Sequence, residues 1–119
     1  MSLDPVALVR RYHDALNAYD ELTVAPMFST RAVYVSPGVN GRLEGREAII
    51  AAFSAYFAEH PDQQAVDDTI ERLAPDAARS HWRLTATKRS SGERIIREGS
   101  ETVRFESSGL ILHVEVVDR

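Results

Sequence analysis

A single acidic residue stands out in the stretch GSETVRFESSG, residues 99–109. Val103 and Phe105 alternate with polar residues, as on a strand with one buried face, and Glu101 falls on the same face. Burying an unpaired carboxylate costs several kcal/mol, so this carboxyl group is expected either to be neutral or to have a partner. An acid held among apolar side chains is typical of a small-molecule pocket.

Two hairpin turns predict the neighbours of Glu101. If Ser91-Gly92 and Ser108-Gly109 are two-residue turns, Trp82 lies opposite Glu101 on one side and Val116 on the other. Gly99, two residues earlier on the same face, is expected to leave open space beside the acid. The apolar residues that share this face form the predicted pocket wall: Trp82, Leu84, Val103, Phe105, Val114 and Val116. In the simpler alternative, Glu101 only bonds Tyr12 or a buried water.

The remaining elements read as helices first and then strands. Asp4-Pro5 is a typical helix start, and apolar residues recur at helical spacing as far as Tyr19. A short helix capped by Asp20 and a strand over residues 31–38 follow. The clearest helix, GREAIIAAFSAYFAEHP, places Phe53 and Phe57 on one apolar stripe facing the pocket. Four further strands complete one α+β domain over residues 1–119, in which helices cover one face of a curved, mainly antiparallel sheet.

Composition excludes several classes of function. The 119 residues are 44% apolar and 27% charged, as in a soluble globular domain, and the net charge of −4 is a poor match to nucleic acid or an anionic membrane. The absence of cysteine excludes disulfides and thiol catalysis, and with no signal peptide in view it fits the cytoplasm. No convincing metal-ligand spacing and no phosphate loop occurs, so neither a metal nor a cofactor is expected.

Three stretches carry a resemblance to a known family. RRYHDALNAYD, GREAII and ETVRFESSGLILHVEVVD, in that order, resemble the SnoaL-like branch of the nuclear-transport-factor-2-like superfamily, over residues 4 to 118. This superfamily includes ketosteroid isomerases, polyketide cyclases, scytalone dehydratase and limonene epoxide hydrolase. The resemblance implies a cone-shaped fold around an apolar pocket, a small apolar ligand, and a homodimer formed through the outer sheet face.

Ketosteroid isomerase is the template that implies catalytic roles. By this resemblance, Tyr12 and Glu101 occupy the positions of the two hydrogen-bond donors to the substrate oxygen, and Ser36 occupies the position of the aspartate base. An alcohol is not a useful base at neutral pH, so the base is left open between Asp118, Ser36 acting through a water, and an unassigned group. Tyr34, two residues before Ser36, is a further candidate for the wall.

Two other polar residues have simpler expectations. His13 is expected to be a packed or half-exposed histidine rather than a functional one. Arg97 falls on the inner face, where it binds an acidic group, pairs with an acid of the protein, or is exposed by a bulge. Three functions stay open: an isomerase, cyclase or dehydratase acting on an apolar carbonyl compound, a non-catalytic binding protein for an apolar ligand, and a dimeric domain with a vestigial pocket.

Overall fold

Three α-helices and six β-strands make up the part of the chain that the structure describes. The computed structural model describes residues 3–37 and 41–119. The helices are α1 (Pro5–Asn17), α2 (Glu21–Val24) and α3 (Arg46–Glu59), and a short 3-10 turn (Ala25–Met27) follows α2. The strands are β1 (Phe28–Ser36), β2 (Gly41–Glu44), β3 (Gln64–Ala74), β4 (Ala77–Thr87), β5 (Arg94–Phe105) and β6 (Ile111–Asp118). Within the described residues, no helix is long and apolar enough to cross a membrane.

The two N-terminal helices begin where the sequence predicts. The Asp4 carboxylate accepts a hydrogen bond from the Ala7 N–H at 3.1 Å, and Pro5 occupies the first helical position. Asp20 caps α2 in the same way through the Thr23 N–H, at 3.2 Å. Each cap satisfies an amide that the first helical turn would otherwise leave unpaired.

The strands form a single curved sheet in the order β2-β1-β6-β5-β4-β3. Neighbouring strands are antiparallel, except that β1 and β6 are parallel. The short, mostly exposed strand β2 was not predicted from the sequence. The predicted strand over residues 31–38 begins earlier, at Phe28, and its predicted last residue, Gly38, lies outside the described residues. The predicted α+β class and the mainly antiparallel bent sheet are confirmed.

One of the two predicted hairpin registers is wrong by two residues. In the β4–β5 hairpin Trp82 pairs with Gly99, and Glu101 pairs with Ser80. On its other side Glu101 pairs with Val116, as predicted. Because side chains alternate with a period of two, a shift of two residues keeps every side chain on its predicted face. Glu101 therefore still faces the concave side of the sheet.

The register differs because the β4–β5 turn is longer than two residues. The Lys88 N–H donates to the Glu93 carbonyl oxygen at 2.9 Å, so that four residues form the loop. The end of α3 holds this loop: the Glu59 carboxylate accepts from the Ser90 N–H at 2.8 Å and from the Ser90 hydroxyl at 2.6 Å. A contact between distant elements thus determines the turn, and a local dipeptide rule could not anticipate it.

Candidate functional site

A cavity of about 110 Å³ lies between the helices and the concave face of the sheet. It is smaller than the roughly 150 Å³ cavity that holds a benzene ring in another protein, so it accommodates a small apolar group with the rest of a ligand in the opening. Its wall combines apolar and polar side chains: His13, Leu16, Asn17, Tyr34, Ser36, Phe53, Tyr56, Phe57, Gln63, Ala65, Asp67, Trp82, Leu84, Arg97, Glu101 and Val116.

A histidine between two carboxylates forms the polar centre of this wall. His13 Nδ1 lies 2.7 Å from Asp67 Oδ2, and His13 Nε2 is hydrogen-bonded to Glu101 Oε1. The His13 and Glu101 side chains are only 15% and 7% exposed. These three residues, called the triad below, join α1 to β3 and β5. His13 is thus packed, as expected, but its pairing with two carboxylates was not predicted.

The hydrogen bonds of the triad define its protonation. An ionised carboxylate only accepts hydrogen bonds, so with Asp67 and Glu101 ionised His13 donates from both ring nitrogens as an imidazolium. Burial lowers the pKa of His13, but the charge of Glu101 and the hydrogen bonds to Asp67 and Glu101 outweigh it and raise the pKa to about 10. Among the described residues, the Glu101 side chain accepts one hydrogen bond, from His13 Nε2 to Oε1. The second carboxylate oxygen, Oε2, is left for a ligand.

Asp67 lies on the cavity face of β3, two residues after Ala65 and directly before a β-bulge. Asp67 pairs with Trp82 while Thr69 pairs with His81, so Asp68 is an extra residue in β3. Asp68 turns outward, away from the cavity wall that Asp67 lines. Sequence reasoning missed this residue. The available signal was the alternation that places Asp67 on the same face of β3 as Ala65.

Two hydroxyl groups on β1 face the cavity near the triad. Tyr34 and Ser36 both lie on the wall, two residues apart on the same face of β1. Burial and then the negative charge of Glu101 raise the pKa of Tyr34 well above its usual value. The Tyr34 hydroxyl therefore keeps its proton and is a hydrogen-bond donor near Glu101.

Tyr12 does not take the position that the resemblance implied. It is fully buried and absent from the cavity wall, and its hydroxyl has no hydrogen-bond partner among the described residues. Its ring packs edge-to-face on Phe28, with 5.5 Å between centroids. Burial and then the charge of Glu101 raise the pKa of Tyr12 well above its usual value. Its neighbour His13 occupies the cavity-facing position of α1 instead.

A second polar cluster lies at the opening of the cavity. Arg97 Nε and Nη2 donate to the Asp118 carboxylate at 3.1 and 2.7 Å, and Nη1 lies 3.5 Å from the Tyr56 hydroxyl oxygen. The guanidinium also lies 5.4 Å from the centroid of the Trp82 ring. Asp118 is paired with Arg97 and does not line the cavity, so the structure does not place it as a base facing a ligand.

Eight of the predicted site residues line the cavity. They are Tyr34, Ser36, Phe53, Phe57, Trp82, Leu84, Glu101 and Val116. Val103, Phe105 and Val114 do not, because they are packed in the core at 0–3% exposure.

Gly99 does not leave an open space. A Cβ atom there would lie 2.1 Å from the Val117 carbonyl oxygen and 2.9 Å from Trp82 Cζ2. The indole ring fills the volume that the sequence suggested was empty, so the absence of a side chain at Gly99 allows this close packing.

Two polar side chains that sequence reasoning missed complete the wall. Gln63 lines the cavity, and its Oε1 is buried with no partner among the described residues. The Asn17 amide donates to the Ala65 carbonyl oxygen at 2.8 Å and accepts from the Ala65 N–H at 3.1 Å, which ties α1 to the edge strand β3. In the described part of the chain, no group of three or more His, Cys, Asp or Glu residues is arranged to hold a metal ion.

Three solved structures share this fold. An NTF2-like protein of unknown function from Exiguobacterium sp. 255-15 is 19% identical, with a TM-score of 0.82 over 94% of this chain and 98% of its own. RV0760c from Mycobacterium tuberculosis, in complex with estradiol-17beta-hemisuccinate, is 17% identical, with a TM-score of 0.82 over 94% and 91%. SalBIII, an epoxide hydrolase/cyclase-like enzyme in pyran ring formation in polyether salinomycin, is 16% identical, with a TM-score of 0.83 over 95% and 88%.

At these identities the structural likeness shows the fold alone. No curated protein matches the sequence significantly. The family model of the SnoaL-like domain matches residues 9–114. Because this match spans most of the chain and the architecture agrees with it, the chain belongs to the SnoaL-like domain family, with the NTF2-like, ketosteroid isomerase-like fold.

Proposed function

We propose that the protein is a proton-transfer enzyme, an isomerase, cyclase or dehydratase, that acts on a small apolar carbonyl compound. The observation that carries this proposal is the triad on the cavity wall, in which Glu101 keeps one carboxylate oxygen for a ligand. A positioned carboxylate is one of the common general bases of enzymes, and Glu101 is positioned by a fixed partner. His13 is that partner, and it in turn is held by Asp67.

The chemistry follows from the positions of the side chains. Glu101 removes a proton from a carbon next to the substrate carbonyl, and the C–H electron pair moves into the carbonyl to form an enolate. Tyr34 donates a hydrogen bond to the oxygen on which negative charge develops. Return of the proton to another carbon gives an isomer, loss of a β-hydroxyl group as water gives dehydration, and attack of the enolate carbon on a second carbonyl closes a ring.

Tyr34 replaces Tyr12 in this scheme, and Glu101 acts as the base rather than as a hydrogen-bond donor. The support is that Tyr34 lines the cavity with Glu101, whereas the Tyr12 hydroxyl is buried away from it. Ser36 lies beside Tyr34 on the wall and is not itself the base in this scheme. The proposal thus supplies the base that the sequence left unassigned.

The structural neighbours support a small, largely apolar ligand. One is described as a cyclase-like enzyme and another is in complex with a steroid ester. The apolar part of the wall, which includes Phe53, Phe57 and Leu84, fits such a ligand. The same wall also favours the second candidate function, the binding of an apolar ligand without chemistry.

Solvent deuterium exchange distinguishes the two functions. The protein in deuterated water is incubated with 2-tetralone or 2-cyclohexenone, and proton NMR follows both ligand binding and exchange of the protons next to the carbonyl. The proposal predicts exchange that is lost in Glu101→Gln and retained in Glu115→Gln, a matched change of an exposed glutamate on β6. Binding without protein-dependent exchange would overturn the enzyme proposal for these ketones and leave ligand binding.

A further inference from the structure

The cluster at the opening of the cavity is built like a binding site for an acidic group. Arg97 lines the cavity, and its side chain is only 20% exposed. The Asp118 carboxylate accepts hydrogen bonds from Nε and Nη2, and the face of the Trp82 ring lies against the guanidinium. These contacts fix the plane of the guanidinium, so little conformational freedom remains to be lost when a ligand binds.

The third nitrogen of this guanidinium, Nη1, is placed to bind a ligand oxygen. Nη1 carries two N–H groups and faces the hydroxyl of Tyr56, a second wall residue, at the long distance of 3.5 Å. A carboxylate oxygen placed there would accept a charge-assisted hydrogen bond from Arg97 and a second bond from Tyr56. Asp118 holds the guanidinium of Arg97 in place, and Nη1 is the donor that is available to a ligand in the cavity.

The distance along β5 sets the shape of the ligand. Arg97 and Glu101 are four residues apart on one strand and both line the cavity, so their backbone positions lie about 13 Å apart. A molecule that reaches both residues has its reacting carbon at one end and its polar group at the other. The apolar wall between them requires an apolar body.

We infer that the substrates are elongated apolar carbonyl compounds that carry a carboxylate at the end remote from the reacting carbon, and that Arg97 and Tyr56 bind this carboxylate. The inference rests on the proposed function of the cavity and adds the class of substrate to it. Arg97 is a specificity-determining residue in this scheme, and Asp118 is a positioning residue that acts through Arg97.

The test compares two rigid probes of the same shape, the anionic biphenyl-4-carboxylate and the neutral biphenyl-4-carboxamide. Calorimetric or NMR titration measures the affinity of each. The carboxylate is expected to bind about tenfold more tightly or better, as one charge-assisted hydrogen bond allows. This preference should shrink as sodium chloride is raised, because the site is partly open to solvent.

Variants assign the preference to the opening of the cavity. Arg97→Met keeps the apolar stem beside Trp82 and should abolish the preference while the amide still binds. Asp118→Asn keeps one acceptor oxygen that orients Arg97 and removes the negative charge that competes with the ligand, so it should increase the preference. Arg83→Met, which removes an exposed arginine paired with Asp68 on the outer face, should leave it unchanged.

Each outcome has a separate meaning. Equal affinity for the two probes, or a preference that survives in Arg97→Met, would overturn the inference and leave the proposed function intact. A preference that depends on Arg97 in a protein without proton exchange would support the inference and overturn the enzymatic proposal alone. Failure of both probes to bind would overturn the inference alone, because proton exchange in 2-cyclohexenone tests the proposed function separately.

Discussion

His13 Nδ1 lies 2.7 Å from Asp67 Oδ2, so a carboxylate on the bulge of an edge strand holds the imidazole of a helix residue 54 positions earlier in the chain. This contact orients the ring and directs Nε2 toward Glu101. The catalytic proposal depends on this contact, because the hydrogen bond from Nε2 holds the Glu101 carboxylate on the cavity wall.

Removal of the histidine should destabilise the fold. In His13→Ala, Asp67 and Glu101 lose the cation between them, and the expected loss in the free energy of unfolding is about 3–5 kcal/mol, as for a broken buried ion pair. Urea unfolding at pH 7 measures it. His81→Ala, which removes an exposed histidine 3.4 Å from Glu71, is the matched control and should change stability by less than about 0.5 kcal/mol. Equal effects of the two substitutions would show that the triad adds no stability.

The stability of the protein should fall with pH above neutrality. Asp67 and Glu101 raise the folded-state pKa of His13 to about 10, above the 6.5 of an unperturbed histidine, so the folded state holds a proton that the unfolded state releases. This contribution is complete below about pH 6.5 and is lost as the pH rises to about 10, with a slope of at most about 1.4 kcal/mol per pH unit. Unfolding of the wild-type protein and of His13→Gln from pH 6 to 10 measures the difference. A His13 ring that titrates near pH 6.5 by NMR would contradict the prediction.

Loss of the hydroxyl group should affect proton exchange at one tyrosine and not at the other. Tyr34→Phe should reduce proton exchange in a bound ketone by about 100-fold or more, since it removes the donor to the developing oxyanion. Tyr12→Phe should leave exchange unchanged and leave the free energy of unfolding unchanged or slightly higher, because it removes a buried hydroxyl that has no partner in the described structure. Loss of exchange only in Tyr12→Phe would restore the assignment that the family resemblance implied.

A methyl group at Gly99 should disrupt the packing of β5. Its Cβ would lie 2.1 Å from the Val117 carbonyl oxygen, and backbone cannot move aside as a flexible side chain can. Gly99→Ala is therefore expected to lower the free energy of unfolding by about 3 kcal/mol, whereas Ser100→Ala at the next, half-buried position should have a small effect. Chemical denaturation of both variants measures the contrast. A neutral Gly99→Ala would mean that the strand has room here after all.

The sequence predicts the fold well because the relevant signals are local. The Asp4-Pro5 cap, the helical stripe through Phe53 and the alternation in β5 each depend on residues a few positions apart. The face of Glu101 was predicted correctly even though its pairing with Trp82 was wrong, because an error of two residues does not change the side of a strand. The family resemblance added the prediction that the sheet and helices form a cone around the cavity.

The partners of Glu101 could not be predicted in the same way. Asp67 contacts His13 because of the way α1 packs across β3, which residue spacing along the chain does not reveal. His13 is distinguished from Tyr12 by the rotation of α1 on the sheet, which places one side chain in the core and its neighbour on the wall. Both features are properties of three-dimensional packing rather than of residue type and spacing.

The pairing of Asn17 with Ala65 has a consequence for the behaviour of the protein in solution. Strand β3 is at the edge of the sheet, where free amide and carbonyl groups can template the addition of a strand from another molecule. The Asn17 side chain satisfies both backbone groups of Ala65, and the bulge at Asp68 breaks the regular spacing further along. The same segment that supplies Asp67 to the cavity is thereby a poor template for intermolecular β-sheet, which protects the protein against edge-to-edge aggregation.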